Sequence, residues 1–402
     1  MNKFRTIVYT VIITVFLMSA VFGYLYKTKV DEIDTVEGSQ ILQAGDNDST
    51  MITTAEYRSN ITNDLNNNRS NMLTRTVSNV SPAVVGINVT EIQQVRVRSP
   101  FSFDPFFEQF FGDRVYNQEI KGLGSGVLIS SDGYILTNDH VAGNAVEAVV
   151  TLTDGSRYDA EIVGTDPASD ICLLKINAQN LPYVKFGNSK DILIGEWVIA
   201  LGNPFGLFSI NDKPTVTVGV ISATGMNLGN VRGRYYFDMI QTDASINGGN
   251  SGGPLVNGIG ELIGINTLIY TASGSTGSVG VGFAIPINKV KKIVEELKSE
   301  GKVDRDFWTG LRIQRITQSI AKYYNLSDTK GVIITQVENG SPAHSAGLEV
   351  GDIIRKVDNY RIQDDNTMVD LLNNYQTNDV IALEIQREDK TLIKNLKLER
   401  RK

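Results

Sequence analysis

Gly249-Asn250-Ser251-Gly252-Gly253-Pro254 sets a serine among glycines, and upstream of it Thr137-Asn138-Asp139-His140-Val141 carries one of only two histidines in the 402-residue chain. A serine hydroxyl is a weak nucleophile at its own pKa. Acyl transfer from it needs a neighbouring base and N–H groups aimed at the developing oxyanion. Glycines around Ser251 permit a tight turn and the close approach of a substrate carbonyl, so the oxyanion-hole candidates are the N–H groups of Gly249 and Ser251, with Asn250 between them. Alone, the segment reads equally as a glycine-rich surface turn.

His140 follows the strand-like run Tyr134-Ile135-Leu136-Thr137-Asn138, at a strand end where catalytic residues are often presented. The third member of a triad is a carboxylate that fixes the imidazole tautomer. Asp170 fits, because the apolar run Ile171-Cys172-Leu173-Leu174-Lys175-Ile176 reads as a buried strand that anchors it. Asp166, before a proline, reads as a turn residue, and Asp139 is badly placed to reach its neighbour's ring. The chain order His140, Asp170, Ser251 is that of chymotrypsin, unlike the subtilisin or α/β-hydrolase orders. From Gly122 to Pro286, short β-type runs are broken by Ser131-Asp132-Gly133, Asp154-Gly155 and Asn257-Gly258, the pattern of an all-β barrel or sandwich.

Together with Ala200-Leu201-Gly202-Asn203-Pro204-Phe205-Gly206 and Gln241-Thr242-Asp243-Ala244, these motifs resemble the HtrA/Deg family of serine proteases over roughly residues 76–400. The resemblance implies a mostly β protein, a chymotrypsin-like double β-barrel with the triad in its cleft, followed by an α/β PDZ domain. It also implies a homotrimer. Gly331-Val332-Ile333-Ile334, Gly340-Ser341-Pro342-Ala343, Ala346-Gly347-Leu348 and Gly351-Asp352-Ile353-Ile354 carry the PDZ likeness, and His344 falls within it, which leaves His140 as the base. A helix begins at Asn288, with Val290, Ile293, Val294 and Leu297 on one face and Gly301 as its stop.

A formal net charge of −7 argues against a nucleic-acid partner. The single cysteine, Cys172, excludes an intramolecular disulfide and reads as a buried thiol. No histidine pair has metal-ligand spacing, so neither a metal nor a cofactor is expected. Gly122-Leu123-Gly124-Ser125-Gly126 lacks the Lys-Ser/Thr of a phosphate loop and precedes a strand, so it is rejected as a nucleotide site.

At the amino end, Lys3 and Arg5 precede an uncharged, mostly apolar stretch from Thr6 to Tyr26, about 30 Å of helix. A cleaved signal peptide would have a shorter core and an Ala-x-Ala-like site, which Ser19-Ala20-Val21-Phe22-Gly23 matches poorly; a retained membrane anchor is the reading. The basic residues at its two ends balance, and the resemblance sets the orientation: amino end in the cytoplasm, protease and PDZ domains in the periplasm or otherwise outside. The division is thus 1–30 cytoplasmic end and transmembrane helix, 31–75 flexible polar linker, 76–300 protease domain and 301–402 PDZ domain. Phe101, Phe103, Phe106, Phe107, Phe110 and Phe111 crowd one irregular stretch and need cover, from this chain or from a neighbouring subunit.

By the resemblance, Trp308-Thr309-Gly310-Leu311 is the loop that captures a peptide carboxylate, with a helix around Met368 to Tyr375 as the groove's other wall. Thr309 stands where the family carries an apolar residue. Ser245 lies at the base of the primary pocket, with Ile246, Thr267, Leu268, Ile269 and Tyr270 as its walls; a small aliphatic substrate residue is expected, since an unpaired charge would be costly there. A regulatory loop spans about Thr224 to Phe237. After Gly225 the family's arginine is replaced by Met226, which leaves Arg232 or Arg234 to serve instead. The implied function is that of a DegS-like, ATP-independent serine endopeptidase of the stress response, cleaving unfolded or membrane regulatory proteins and activated by carboxyl-terminal peptides. The alternatives are a general quality-control protease or chaperone, and a non-enzymatic peptide-binding scaffold.

Overall fold

Asn71 accepts a hydrogen bond from the Thr74 N–H (3.0 Å) and caps helix α1, Met72–Val80, whose Thr76 and Val80 are buried. Such a start was not expected there. Met72 to Arg75 fall in the stretch read as linker, where average polarity hides the cap and Leu73, which with Val77 and Val80 beyond it docks on the barrel core. The Thr76 hydroxyl donates to the Gly258 carbonyl at 2.6 Å and fixes the helix.

The structure is a computed structural model that describes residues 69–97, 114–203, 213–269 and 280–401. The anchor, the linker up to 68, the phenylalanine-rich stretch, Pro204-Phe205-Gly206 and Tyr270 lie outside the described residues. Among the described residues no helix is long and apolar enough to cross a membrane.

Strands β1 (Val84–Val97), β2 (Arg114–Leu128) and β3 (Tyr134–Thr137) are followed by the short helix α2 (Asp139–Ala142), then β4 (Glu147–Thr151), β5 (Arg157–Asp166) and β6 (Ile171–Ile176). They close into a barrel in the order β1-β2-β3-β6-β5-β4. Its interior is filled by residues such as Ile87, Leu128, Leu136 and Leu173, each fully buried. β6 is apolar on both faces because both are covered, which makes it a rigid base for the residue before it.

A second closed barrel, in the order β11-β14-β13-β12-β7-β8, is made by β7 (Trp197–Gly202), β8 (Thr215–Met226), β11 (Met239–Thr242), β12 (Pro254–Asn257), β13 (Leu262–Ile269) and β14 (Gly282–Pro286). Between β8 and β11 a two-stranded hairpin stands apart, β9 (Gly229–Val231) and β10 (Arg234–Tyr236), turned by Arg232 and Gly233, both at positive φ. Helix α3 (Ile287–Glu300) buries Val290, Ile293, Val294 and Leu297, as the spacing predicts, and ends at Gly301 in the left-handed conformation (φ 71°).

The carboxyl-terminal sheet runs β15-β16-β17-β19-β20, formed by Leu311–Arg315, Val332–Val337, Ile353–Val357, Val380–Arg387 and Lys390–Lys397, with β18 (Tyr360–Arg361) beside β17. Helices α4 (Gln318–Tyr323), α5 (Pro342–Ser345) and α6 (Asp365–Leu372) complete it. β15 is an edge strand, so one of its sides is free to pair. His344 lies on α5, far in role from the triad.

Candidate active site

The turn ahead of β6 places the carboxylate. Asp170 has φ 58°, a conformation that aspartate tolerates better than most residues, and is held there by its own N–H on the Pro167 carbonyl (3.3 Å) and by Asn138 Nδ2 on its carbonyl (3.0 Å). Its side chain is fully buried. Both oxygens lie 2.9 Å from His140 Nδ1, and Oδ1 also accepts from the His140 backbone N–H at 3.0 Å. The imidazole is thereby pinned with Nε2 turned outward, and one third of the His140 side chain remains exposed (33%). Oδ2 of Asp170 accepts from the Thr267 hydroxyl at 2.6 Å and the Tyr236 hydroxyl at 2.9 Å. Burial opposes ionisation of Asp170, but the hydrogen bond and charge of His140, with the Thr267 hydroxyl, outweigh it and hold the carboxyl below the usual carboxylate range.

Ser251 sits on the turn between β11 and β12. Gly252, at φ 83°, packs so tightly on the Ser125 carbonyl and the Thr137 hydroxyl that a Cβ there would clash with both. The N–H groups of Gly249 and Ser251 have no partner among the described residues, whereas that of Asn250 donates to the Asn247 carbonyl at 3.0 Å. Asn250 is therefore not an oxyanion donor. Its N–H is committed to closing the turn, a direction of the backbone that residue type does not reveal. The Ser251 hydroxyl donates to the Thr267 carbonyl at 3.1 Å, and no hydrogen bond joins it to His140. One rotation about its Cα–Cβ bond separates this resting arrangement from an aligned triad.

Ser125 is a site residue that sequence reasoning missed. It lies in the glycine-rich run on β2, fully buried, where its N–H donates to the Ser251 carbonyl at 3.0 Å and its hydroxyl to the Gly249 carbonyl. The same hydroxyl accepts the Asn203 N–H at 2.7 Å. One serine of the first barrel thus holds the carbonyls on both sides of the oxyanion-forming turn of the second. A small polar residue between glycines inside a strand was the available signal. Ser125→Ala leaves the Gly249 carbonyl and the Asn203 N–H unpaired, and is expected to lower kcat/KM by about ten- to a hundredfold. Unchanged rates of phosphonylation of Ser251 by a fluorophosphonate in this variant would refute the role.

Thr267, read as a pocket wall, instead gives its hydroxyl to Asp170 and its carbonyl to Ser251. Ile246, expected as a pocket wall, is fully buried in the core of the second barrel with Val198, Ala200 and Leu255. Ser245 is half-buried, and its carbonyl accepts the Thr217 hydroxyl at 2.8 Å. The side chains of Leu268 and Ile269, like Tyr270, lie outside the described residues.

Of the loop residues, Met226 ends β8 and packs against the barrel core, and Arg232 is exposed at the hairpin tip. Arg234 points inward: Nε donates to Asp170 Oδ1 at 3.1 Å and Nη2 to Asp139 Oδ2 at 2.9 Å. Its neighbours alternate. Tyr236 faces Asp170, while Tyr235 and Phe237 join the apolar cluster of the carboxyl-terminal domain, Phe237 meeting Tyr360 edge to face at 5.8 Å.

The trypsin-like peptidase domain family matches residues 124–265 and the PDZ domain family residues 310–398. The structure is similar to that of the HtrA-type protease AlgW with decapeptide, with a TM-score of 0.58 and 35% identity over 81% of this chain and 98% of that one. A protein of Pseudomonas putida described as "Probable periplasmic serine endoprotease DegP-like" is 40% identical over 335 residues, 79% of this chain and 68% of that protein. The chain belongs to the HtrA/Deg family of serine proteases. A Chlamydia trachomatis relative of the same description is 42% identical over 302 residues, 73% of this chain but 59% of its own length, so this HtrA chain spans about three fifths of it. Within the HtrA frame, the PDZ match begins at Gly310 and contains β15.

Proposed function

We propose that this HtrA chain is an ATP-independent serine endopeptidase, with Ser251 as nucleophile, His140 as general base and then general acid, and Asp170 as the carboxylate that holds the imidazole. The observation that carries the reading is the buried Asp170 bonded to His140 Nδ1, beside a serine turn with two unpaired N–H groups. In the reaction, Ser251 Oγ attacks the substrate carbonyl as its proton passes to His140 Nε2, and the oxyanion settles on the N–H groups of Gly249 and Ser251. The imidazolium then protonates the leaving amine. Water hydrolyses the acyl-enzyme by the same sequence.

The protease is further proposed to be a DegS-like regulator, tethered to the inner membrane by residues 1–30, facing the periplasm as a homotrimer, and activated by peptide at its PDZ domain. The Ser251 hydroxyl resting on the Thr267 carbonyl supports a latent enzyme over a constitutive one. An activator must bind the aligned state more tightly than the resting one. The free edge of β15 suits strand addition, and the N–H groups of Thr309 and Gly310 have no partner among the described residues. The AlgW relative was solved with a decapeptide, which favours the same use here.

Full-length protein is given unfolded casein with and without peptides that end in a free or an amidated carboxyl group. Stimulation by the free acid alone is expected. Rapid unprompted degradation would replace the regulatory reading with general quality control. The Leu311 N–H is at present taken by the Thr309 hydroxyl at 3.2 Å, so that side chain competes with an incoming carboxylate. Thr309→Val is expected to tighten binding of free-acid peptides by about three- to tenfold in an anisotropy titration, the worth of one net hydrogen bond. Weaker binding in that variant would mean that the hydroxyl assists the carboxylate instead.

A further inference from the structure

Arg234 joins two buried acids that are neighbours in space, Asp139 (4% exposed) and Asp170 (fully buried). Asp139 accepts as well from the Thr165 hydroxyl on β5. Ionised carboxylates this close disfavour one another's charge, and without a cation between them one would retain a proton. A protonated Asp170 could not hold the imidazole tautomer that accepts from Ser251.

We propose that Arg234 is a positioning residue for the reaction, which balances Asp139 and Asp170 so that Asp170 stays ionised and aimed at His140. The proposal rests on the serine-protease reading above. At rest the set carries two negative charges and one positive. When His140 takes the serine proton, the imidazolium pairs with the ionised Asp170 that already faces its Nδ1.

The remaining groups that face the pair supply no charge to take its place. From β10, Tyr236 donates its hydroxyl to Asp170, and burial followed by that carboxylate pushes its ionisation above the ordinary phenol range. From β6, the Cys172 thiol is pushed up to about 12 by burial and then by the two acids. Thr165 on β5 and Thr267 on β13 are neutral donors. Apart from His140, Arg234 is the one cation paired with either carboxylate among the described residues. It is held in place by its strand, since the Tyr235 N–H donates to the Ala168 carbonyl at 2.8 Å, two residues from Asp170.

The test follows the rate at which diisopropyl fluorophosphate labels Ser251 in the full-length protein, from acid to alkaline pH, in wild type, Arg234→Gln and Arg234→Lys. Labelling reports the nucleophile directly and is independent of peptide capture, and its final extent counts the folded sites. Loss of the cation favours protonated forms of the cluster, so in Arg234→Gln the acid limb is expected to move up by about one pH unit. Labelling at neutral pH slows by about tenfold, while KM for casein is expected to stay unchanged. Arg234→Lys keeps the charge but reaches one carboxylate, and recovers part of the rate. A glutamine variant whose profile parallels wild type at every pH, or a lysine variant no better than glutamine, would overturn the proposal. Failure of wild type to label at Ser251 would instead overturn the serine-protease reading, and the proposal with it.

Discussion

Ser251→Ala is expected to lower turnover of casein by about six orders of magnitude, down to the residual rate that binding and an oxyanion hole alone can give. The size of the effect follows from the arrangement of the site. The Ser251 hydroxyl is the group placed on the turn that carries the Gly249 and Ser251 N–H groups, so its loss removes the proposed attacking atom itself. Among the described residues the lost hydroxyl makes one hydrogen bond, to the Thr267 carbonyl, so the fold and the PDZ groove are expected to survive intact. Peptide binding by the variant therefore serves as the control. Hydrolysis that persists unchanged, once contaminating proteases are excluded, would mean that the chain uses its protease fold as a scaffold.

Asp170→Asn is expected to cost about four orders of magnitude in kcat with little change in KM. The carboxylate accepts from His140, Arg234, Tyr236 and Thr267, all of which approach as donors. An amide offers one acceptor oxygen and sets an NH2 group against donors on its other side. It can be accommodated only if His140 turns its unprotonated nitrogen to the amide, which puts the proton on Nε2 and abolishes the base. A full kinetic profile separates this from unfolding: correctly folded Asp170→Asn keeps its KM and its affinity for peptide, whereas a collapsed site loses all three together.

His140, Asp170 and Ser251 could be singled out in the sequence because few histidines compete for the proposed role and because each abuts a recognisable strand or glycine turn, and the structure brings His140 and Asp170 into hydrogen-bond contact. The β-rich character was legible from short apolar runs cut by turn residues, which left barrel and sandwich open, and the two barrels were expected only from the family resemblance. The groups supporting the three residues were not legible. Arg234, Tyr236 and Thr267 meet Asp170 across 64, 66 and 97 residues, and Ser125 meets Gly249 across 124, so their roles exist only once the two barrels close on each other. Asn250 shows the opposite limit. Its position in the motif was right, but the direction of a single N–H decides whether it serves the substrate or the turn. Composition failed at Met72 to Arg75, where a few well-spaced apolar residues and one capping asparagine outweigh the polar average of the stretch around them.

The alternation along Arg234, Tyr235, Tyr236 and Phe237 imposes a rule of parity on variation in this hairpin. Extra residues at the exposed tip, Arg232 and Gly233, would lengthen the loop and leave the faces alone. One residue gained or lost between the tip and Phe237 would exchange them, driving a guanidinium into the apolar cluster and two aromatic rings against the catalytic carboxylate. Related chains are thus free to differ at the tip by any number, but in the stem only by pairs.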